Sequence, residues 1–346
     1  MFVVPGPIDT RTGGSIYDRR IAEGLRARGW SIEVRELDAS FPRPSAEALA
    51  HAAAVLAALP PRTVTVVDGL ALGAMPDLIE REASRLAVVA LVHLPLASDV
   101  GLDRDTAARF ERSERRALAA ASLVVVTGTA TLPLLASSSL PSARVVLVEP
   151  GTDRAPVTRG STAPPLRLLS VGTLNPGKGH EDLLAAFARV ASRDWRLTCA
   201  GSLTRYPATV ERVKTLIREL GLDEHVSLVG ELDEAALEAC YAATDVFVLA
   251  TLRETYGMAV AEALAHGLPV VATTTGAIPD LVGDEAGLLV APGDRQALAS
   301  ALARVVGDRE LRERLAQGAR RVRESLPSWE QAAAKMAAVL DSVMHG

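Results

Sequence analysis

Two glutamates near the middle of the second half are the residues whose types and spacing most strongly suggest chemistry. Glu254 and Glu262 lie eight positions apart, between two short apolar runs. This pattern predicts a strand, a turn, a helix and a second strand, and we expect the helix to begin near Thr255 as its N-cap. The helix N-terminus would hold an anion, with Gly257 allowing its close approach, and the carboxylates would accept hydrogen bonds from vicinal hydroxyls. The pair therefore suggests a site for a nucleoside diphosphate sugar, although a capping Glu254 and a solvated Glu262 would explain the same spacing.

A glycine-rich turn with one lysine precedes this region. Residues 172–179 read Gly-Thr-Leu-Asn-Pro-Gly-Lys-Gly and join a predicted strand, Leu166–Val171, to a predicted helix. Glycines such as Gly172 permit tight approach and Lys178 supplies a point charge, so we interpret the turn as a phosphate-binding element. It is not a Walker A sequence, because no Ser or Thr follows the lysine. The alternative is an ordinary turn with a solvated lysine.

Two features of the first half also lie where a ligand could bind. Gly13 and Gly14 follow the first strand and precede a helix predicted over Tyr17–Arg28, so backbone and ligand could approach closely there. His93 leaves a predicted strand, Leu86–Leu91, just before a proline, where ligands commonly bind. A satisfied polar residue at a strand end is an equally good interpretation of His93.

Composition narrows the class of protein. The chain has 346 residues, of which 49% are hydrophobic and 3% aromatic, and this suits Ala-, Val- and Leu-rich parallel sheets covered by helices. The net charge of −5 without a long basic run disfavours nucleic acid as the main partner. The histidines are scattered, so we expect no metal site. Cys199 and Cys240 are expected to be reduced core residues.

No stretch has the length of a membrane span, and the N-terminal residues lack a signal-peptide pattern, so we expect a cytoplasmic protein without stable membrane insertion. An arginine-rich helix over Arg104–Ala121 is interpreted as solvated and laced with ion pairs, with Phe110 as its main bulky apolar residue.

Strand and helix patterns alternate through both halves, which predicts two doubly wound parallel sheets of the α/β class. In the first half the predicted strands after the N-terminal one are Ser31–Leu37, Thr63–Asp68, Leu86–Leu91, Ser122–Thr127 and Arg144–Val148. In the second half they are Leu166–Val171, Trp195–Ala200, His225–Val229, Asp245–Leu249, Pro269–Ala272 and Gly287–Val290.

The Pro- and Thr-rich segment 154–165 reads as a linker between the two halves. The predicted domains are therefore 1–153 and 166–326, and we expect their strand ends to face one cleft.

Together these pieces resemble the retaining glycosyltransferases of family 4, which have the GT-B fold of two Rossmann-like domains. The resemblance covers nearly the whole chain, through Gly13-Gly14, His93 before Pro95, Glu149–Asp153 at the hinge, Gly172–Gly179 and Glu254 through Glu262. It implies that residues 1–153 bind the acceptor and residues 166–326 the donor. It also implies that the last helix, within 327–346, crosses back to the first domain.

The resemblance assigns roles to these residues. Glu262 looks like the acid on the nucleotide ribose, Glu254 like the acid on the donor sugar, and Lys178 like the cation on the diphosphate. His93 would lie beside the reacting face of the sugar. The remaining donor-binding candidates are Gly13, Gly14, Gly172, Gly230 near the base, Thr255, Tyr256, Gly257 and Met258.

The phosphate turn departs from the family pattern, because Thr173 and Gly177 stand where many relatives carry arginine. Arg205 and Arg253 are the candidate replacements.

The expected function is transfer of a sugar from a UDP- or GDP-linked donor to a hydroxyl of a small-molecule, glycan or lipid acceptor. We expect retention of configuration, no cofactor, no metal and no protein nucleophile. A sugar-nucleotide epimerase, a phosphorylase of the same fold and a non-catalytic nucleotide-sugar-binding protein are the alternatives.

Overall fold

The computed structural model describes residues 1–135, 141, 144–158, 160–161 and 164–345. The chain forms two compact units, Met1–Gly151 with Pro327–Gly346 as unit 1, and Thr152–Leu326 as unit 2. Each contains a six-stranded parallel sheet, so the predicted pair of doubly wound α/β units is confirmed.

The sheet of unit 1 has the order β2-β1-β3-β4-β5-β6. Two neighbouring strands of this sheet, Ala87–Val92 and Leu123–Val126, are apolar along their whole length, as expected when helices cover both faces of a parallel sheet. The strands are β1 Phe2–Pro5, β2 Val34–Leu37, β3 Val64–Asp68, β4 Ala87–Val92, β5 Leu123–Val126 and β6 Val145–Leu147. The helices are α1 Gly13–Ala27, α2 Ala46–Ala57, α3 Gly69–Leu72, α4 Pro76–Glu82, α5 Arg104–Ala120 and α6 Thr131–Leu134.

The sheet of unit 2 has the order β12-β11-β10-β7-β8-β9, with its two main apolar clusters drawn from opposite sides of the strands. The strands are β7 Leu166–Val171, β8 Trp195–Ala200, β9 Val226–Gly230, β10 Val246–Leu249, β11 Val270–Thr273 and β12 Gly287–Val290. The helices are α7 His180–Phe187, α8 Pro207–Glu219, α9 Glu234–Ala242, α10 Met258–Ala265, α11 Ile278–Val282, α12 Arg295–Gly307 and α13 Arg309–Val322.

Helix α13 has no counterpart in the sequence-based prediction. Its sequence is dominated by Arg and Glu, and its buried face consists of Leu311, Leu315, Gly318 and Ala319. This apolar stripe is narrow, so the helical period is hard to recognise among the charges.

The last helix, α14 Trp329–His345, belongs to unit 1, as predicted. It packs on α1, where Met336 and Leu340 share a cluster with Ile21 and Leu25. The helices approach so closely at Gly24 that a Cβ there would lie 2.5 Å from the Cβ of Ala333. A side chain at position 24 would therefore push α14 away from α1.

The predicted linker 154–165 is wrong for its described residues, which are held on unit 2. The Thr158 amide donates to the His266 carbonyl at 2.8 Å, and the Ser161 hydroxyl donates to Asp245 Oδ2 at 2.8 Å. A Pro- and Thr-rich composition is typical of linkers, but these polar groups find hydrogen-bond partners on the folded unit.

Within the described residues, no helix is both long and apolar enough to cross a membrane. Phe110 of α5 is buried, and Arg116 of the same helix pairs with Asp77 and Glu80. The predicted ion pairing is therefore present at Arg116, whose acidic partners lie on α4. Cys199 is buried as expected, whereas Cys240 is only half-buried.

Candidate active site

The sheet of unit 2 changes its winding direction between its strands β7 and β10. These strands are neighbours, but the chain continues from β7 toward β8 and β9 on one side, and from β10 toward β11 and β12 on the other. Connections that leave in opposite directions open a gap at the carboxyl ends of such strands, where ligands bind in α/β sheets. The loops after β7 and β10 carry the lysine and the glutamates singled out above.

Those two loops are joined by their backbones. The Leu252 amide donates to the Gly177 carbonyl at 2.7 Å, and the Thr251 hydroxyl donates to the same oxygen at 3.0 Å. Gly179 has φ +65°, and a Cβ there would lie 2.0 Å from the Ala250 carbonyl oxygen, so only glycine fits. The lysine turn and the glutamate loop therefore form one structural element.

Lys178 and Glu254 form an ion pair within this element. Lys178 Nζ donates to Glu254 Oε2 at 2.7 Å, with 24% and 16% of the two side chains exposed. The lysine stem passes over Gly172, where a Cβ would lie 3.3 Å from its methylene carbons. The lysine turn is itself fixed by Asn175, whose Oδ1 accepts from the Lys178 amide at 3.0 Å. The sequence suggested both residues for one ligand, and the structure brings their charged groups into contact.

His180 follows the lysine turn as the first residue of α7. The ring is buried, and neither nitrogen has a hydrogen-bond partner in the part of the chain that the structure describes. Burial, followed by the nearby Lys178 charge, lowers the pKa of His180 to about 4. The ring is therefore neutral near pH 7 and adds no positive charge to that of Lys178.

The predicted helix start at Thr255 is wrong, because α10 begins at Met258 with Gly257 as its N-cap at φ +100°. The Thr255 amide is already used, since it donates to Glu254 Oε1 at 3.2 Å. Of the four residues predicted to offer amides to a ligand, only Met258 lies in the first turn of the helix. Glu262 consequently lies about one turn into the helix, whereas a start at Thr255 would have placed it about two turns in.

Glu262 is held by a tyrosine that the sequence did not single out. The Tyr241 hydroxyl donates to Glu262 Oε2 at 2.8 Å, and the Tyr241 ring stacks on His266 with centroids 4.7 Å apart. Burial raises the pKa of Glu262 above its ordinary value, while the Tyr241 hydrogen bond opposes that shift. Tyr241 lies on α9 in an ordinary helical pattern, so nothing in the sequence linked it to the acid.

The predicted second cation, Arg205, has an acidic partner. Its Nε lies 3.5 Å from Glu231 Oε1, and both side chains are more than a third exposed. Glu231 follows Gly230, the residue at the end of β9 with φ +77° that was predicted to lie near the nucleotide base. Arg253, the other candidate, is exposed. Of these three cations, Lys178 is the one that the structure pairs with Glu254.

In unit 1, His93 lies one residue beyond β4 and contacts two buried aspartates. Its Nε2 is 3.0 Å from Asp18 Oδ1 and 3.5 Å from Asp68 Oδ2. Asp68 also caps α3 by accepting from the Leu70 amide at 2.7 Å. Sequence reasoning missed both acids, although Asp68 at the end of an apolar strand was a detectable signal.

The pKa values of Asp68 and His93 are shifted by burial and by their neighbours in this cluster. Burial first, then the Asp18 charge, raises the pKa of Asp68 to about 7. Burial lowers the pKa of His93, but the Asp18 charge and hydrogen bond and the Asp68 charge more than offset it, so the pKa of His93 rises above its ordinary value. The cluster therefore holds protons near neutral pH.

Gly13 and Gly14 are the first two residues of α1, and Thr12 is its N-cap, so the helix begins four residues before the predicted start at Tyr17. The Thr12 hydroxyl accepts from the Ser15 amide at 3.2 Å, and this cap extends the helix over two poor helix formers. A Cβ at Gly14 would lie 3.1 Å from Cδ2 of His93, so the glycine makes room for the ring.

Asp18, Asp68 and His93 are also the group among the described residues whose composition and spacing would suit a metal ion, with ligand-type atoms within 4.8 Å of one another. We interpret the group as a hydrogen-bonded network, because Nε2 meets Asp18 at the length of an N–H···O bond and Asp68 is engaged by a backbone amide. The metal independence expected from the sequence stays a prediction.

The sequence of this chain is similar to those of known glycosyltransferases. Residues 157–322 match the family model described as glycosyl transferases group 1. The chain is 35% identical to a D-inositol 3-phosphate glycosyltransferase of Corynebacterium efficiens, over 52% of this chain and 44% of that protein. It is 29% identical to an MMP alpha-(1->4)-mannosyltransferase of Mycolicibacterium hassiacum, over 91% of this chain and 80% of that protein.

The chain spans about half the length of the first curated relatives it matches. Among solved structures, Anabaena HepE in complex with UDP and glucose is similar with a TM-score of 0.79 and 18% identity, covering 99% of both chains. That likeness establishes the GT-B fold. The glycosyl transferases group 1 model matches residues 157–322, which is nearly all of the second unit, Thr152–Leu326.

Proposed function

We propose that this chain is a glycosyltransferase that moves a sugar from a nucleoside diphosphate sugar to an acceptor hydroxyl with retention of anomeric configuration. The observation that carries the proposal is the contact of Lys178 Nζ with Glu254 Oε2 at 2.7 Å, between the loops that follow β7 and β10. A cation and a hydroxyl-binding acid, placed side by side at the ligand position of the sheet, fit the diphosphate and the sugar of one donor.

The chemistry follows from these charges. Departure of the diphosphate leaves negative charge on its oxygens, and Lys178 with the first amides of α10 would stabilise that charge as it grows. Glu254 would accept from hydroxyls of the donor sugar, and Glu262 from the ribose. The acceptor hydroxyl would attack on the side of the leaving group, and the departing phosphate would take its proton. This route needs neither a protein nucleophile nor a metal.

Unit 1 would bind the acceptor, which is a small molecule, a glycan or a lipid, and His93 would touch the reacting sugar. The named relatives support sugar transfer as the reaction class, and the UDP in the HepE crystal structure supports a nucleotide donor. A cytoplasmic location remains part of the proposal.

The first test is a thermal-shift panel of UDP, GDP, ADP and TDP, each alone and linked to a sugar. A ligand at about 100 times its Kd should add roughly 2.7 kcal/mol to the free energy of unfolding. Lys178→Met should lose about half of this shift or more, because a 10- to 100-fold weaker affinity leaves roughly 1.4 to 0.4 kcal/mol. Lys214→Met should keep it, because Lys214 lies in an exposed pair with Glu211 on α8. A panel without any stabilising nucleotide would refute a nucleotide donor.

The second test uses the donor found in that panel with candidate acceptors. NMR of the product should show the anomeric configuration of the donor, and excess EDTA should leave the rate within about twofold if no metal acts in the reaction. An inverted linkage would refute the same-side mechanism. Release of free nucleotide without a transferred sugar would favour the epimerase, and binding without turnover would favour the non-catalytic alternative.

A further inference from the structure

We propose that Asp18 and Asp68 are positioning residues that hold the His93 imidazole through Nε2 and leave Nδ1 to face the substrate. The inference deepens the proposed function and rests on it in one respect, that His93 touches the reacting sugar. Nothing in the sequence pattern or in the comparisons assigns either aspartate a role.

The fold brings the three residues together from separate elements. Asp68 is the last residue of β3 and His93 follows the adjacent strand β4, in the register that pairs Asp68 with Leu91. Asp18 comes from the second turn of α1, whose start follows the loop after β1, the other neighbour of β3. The cluster thus lies at the carboxyl ends of the strands, next to the point between β1 and β3 where the sheet order reverses.

The two acids differ from the ring in their exposure to solvent. The side chains of Asp18 and Asp68 are 2% and 4% exposed, whereas 20% of His93 is exposed. The His93 side chain is therefore partly accessible from outside, whereas the two carboxylates are not. This arrangement distinguishes a positioning pair from two acids that would bind substrate themselves.

The ring has little freedom to turn. Tyr17 meets it edge-on with centroids 5.2 Å apart, and Gly14 lies against Cδ2 on the α1 side. In the described chain, the hydrogen bond of the ring is made by Nε2, which places the proton on that nitrogen when it donates to Asp18. Nδ1 is then the nitrogen available to a ligand.

A purely structural role would account for Asp68, which caps α3, but not for Asp18. A carboxylate in the interior of a helix, 2% exposed, is costly unless it is paired. The structure pairs it with the partly exposed ring of His93. The charged and titratable groups that face His93 are Asp18 and Tyr17 from α1 and Asp68 from β3.

The test combines NMR with kinetics. The full chain is labelled with ¹⁵N-histidine, and the His93 signal among the six histidines is assigned with His93→Gln. The pKa and the tautomer of His93 are then followed by pH titration in wild type, Asp18→Asn and Asp68→Asn, without substrate. Asn keeps the shape of the side chain and the capping capacity at position 68. Asp9→Asn is the matched control, since Asp9 pairs with Arg19 of α1 and is 84% exposed.

We expect the pKa of His93 to fall in Asp18→Asn, because the negative charge hydrogen-bonded to Nε2 is removed. The fall should be smaller in Asp68→Asn, because the pKa of Asp68 is about 7 and this acid is itself partly protonated near neutral pH. We expect kcat to fall by up to about 10²-fold with the nucleotide Kd unchanged, because a slightly misplaced group costs rate and not donor affinity. Asp9→Asn should match wild type in both measurements.

An unchanged His93 pKa in Asp18→Asn would overturn the inference, as would a lowered pKa with unchanged kcat in an enzyme that His93→Ala impairs. A shift of the His93 signal on adding Zn²⁺ or Mn²⁺, lost in Asp18→Asn, would overturn it in favour of a metal centre. If His93→Ala transfers sugar at the wild-type rate, this inference fails while the proposed transferase stands. Circular dichroism identifies a variant that does not fold, and Asp68→Asn then decides the matter.

Discussion

Removing the charge of Glu254 should tighten binding of a bare nucleoside diphosphate while it slows sugar transfer. In the structure Lys178 Nζ donates to Glu254 Oε2 at 2.7 Å, so a diphosphate must compete with this carboxylate for the lysine. Glu254→Gln weakens the competitor and removes no group assigned to the diphosphate. Lys178→Met removes the cation itself and keeps the apolar stem that covers Gly172.

The magnitude follows from the exposure of the pair, 24% for Lys178 and 16% for Glu254. An exposed ion pair contributes about 0–1 kcal/mol, and a hydrogen bond to a charged group about 1.5–3 kcal/mol. A pair between these limits should have a coupling energy of about 1 kcal/mol, which corresponds to roughly fivefold in affinity. Glu254→Gln should therefore bind the bare nucleotide up to about fivefold more tightly. Lys178→Met should lose about one to two orders of magnitude in affinity or rate, more in kcat than in donor binding.

Calorimetry with the bare nucleotide and thermal unfolding of the two single variants and the double variant complete a double-mutant cycle. Lys214 and Glu211 provide the control cycle, because this pair has a similar distance of 2.8 Å in the same unit but is 48% and 66% exposed. We expect measurable coupling in the first cycle and almost none in the second. Equal loss of nucleotide affinity in Glu254→Gln and Lys178→Met would refute the competition.

Three further predictions follow from the other contacts. Glu262→Gln should weaken bare-nucleotide binding by about 10- to 100-fold in calorimetry, because it removes a charged hydrogen-bond acceptor; an unchanged Kd would remove Glu262 from the ribose. Arg205→Ala should act additively with Lys178→Met on donor binding, since Arg205 faces Glu231, and strong non-additivity would show a shared phosphate. Burial raises the pKa of Glu114 to about 7, so the folded state keeps a proton that the unfolded state releases above about pH 4.5. The free energy of unfolding therefore falls as the pH rises from about 4.5 through 7. The thermal midpoint of Glu114→Gln should therefore decline less than that of wild type between pH 5 and 7, with exposed Glu111→Gln as control; identical pH profiles for Glu114→Gln and wild type would contradict this.

The fold could be predicted because it follows from patterns within short stretches of the sequence. Apolar runs of strand length alternate with helical periods, and this alternation alone specifies a parallel sheet covered by helices. Element ends were predicted less well, because caps decide them. With Thr12 as its N-cap, α1 begins at two glycines that were predicted to precede it. With Gly257 as its N-cap, α10 begins at Met258 and not near Thr255.

The site could be predicted only as separate residues. Lys178 and Glu254 were recognisable because each lies in a loop after a predicted strand. Their contact depends on β7 and β10 being neighbours in the sheet, and strand order is a tertiary property. Tyr241 and Asp18 lie within helices, where the partner of a side chain depends on how the helix packs. No spacing rule reveals such partners.

The hydrogen bonds and close backbone contact between the lysine turn and the glutamate loop limit how this domain can be re-engineered. The Gly177 carbonyl accepts from both Leu252 and Thr251, and Gly179 lies directly against the Ala250 carbonyl. A loop transplanted from a relative to change the donor would meet a partner shaped for a different backbone. Segments 172–179 and 250–254 therefore form a single exchangeable cassette, and chimeras that divide it should lose folding or binding before they change specificity.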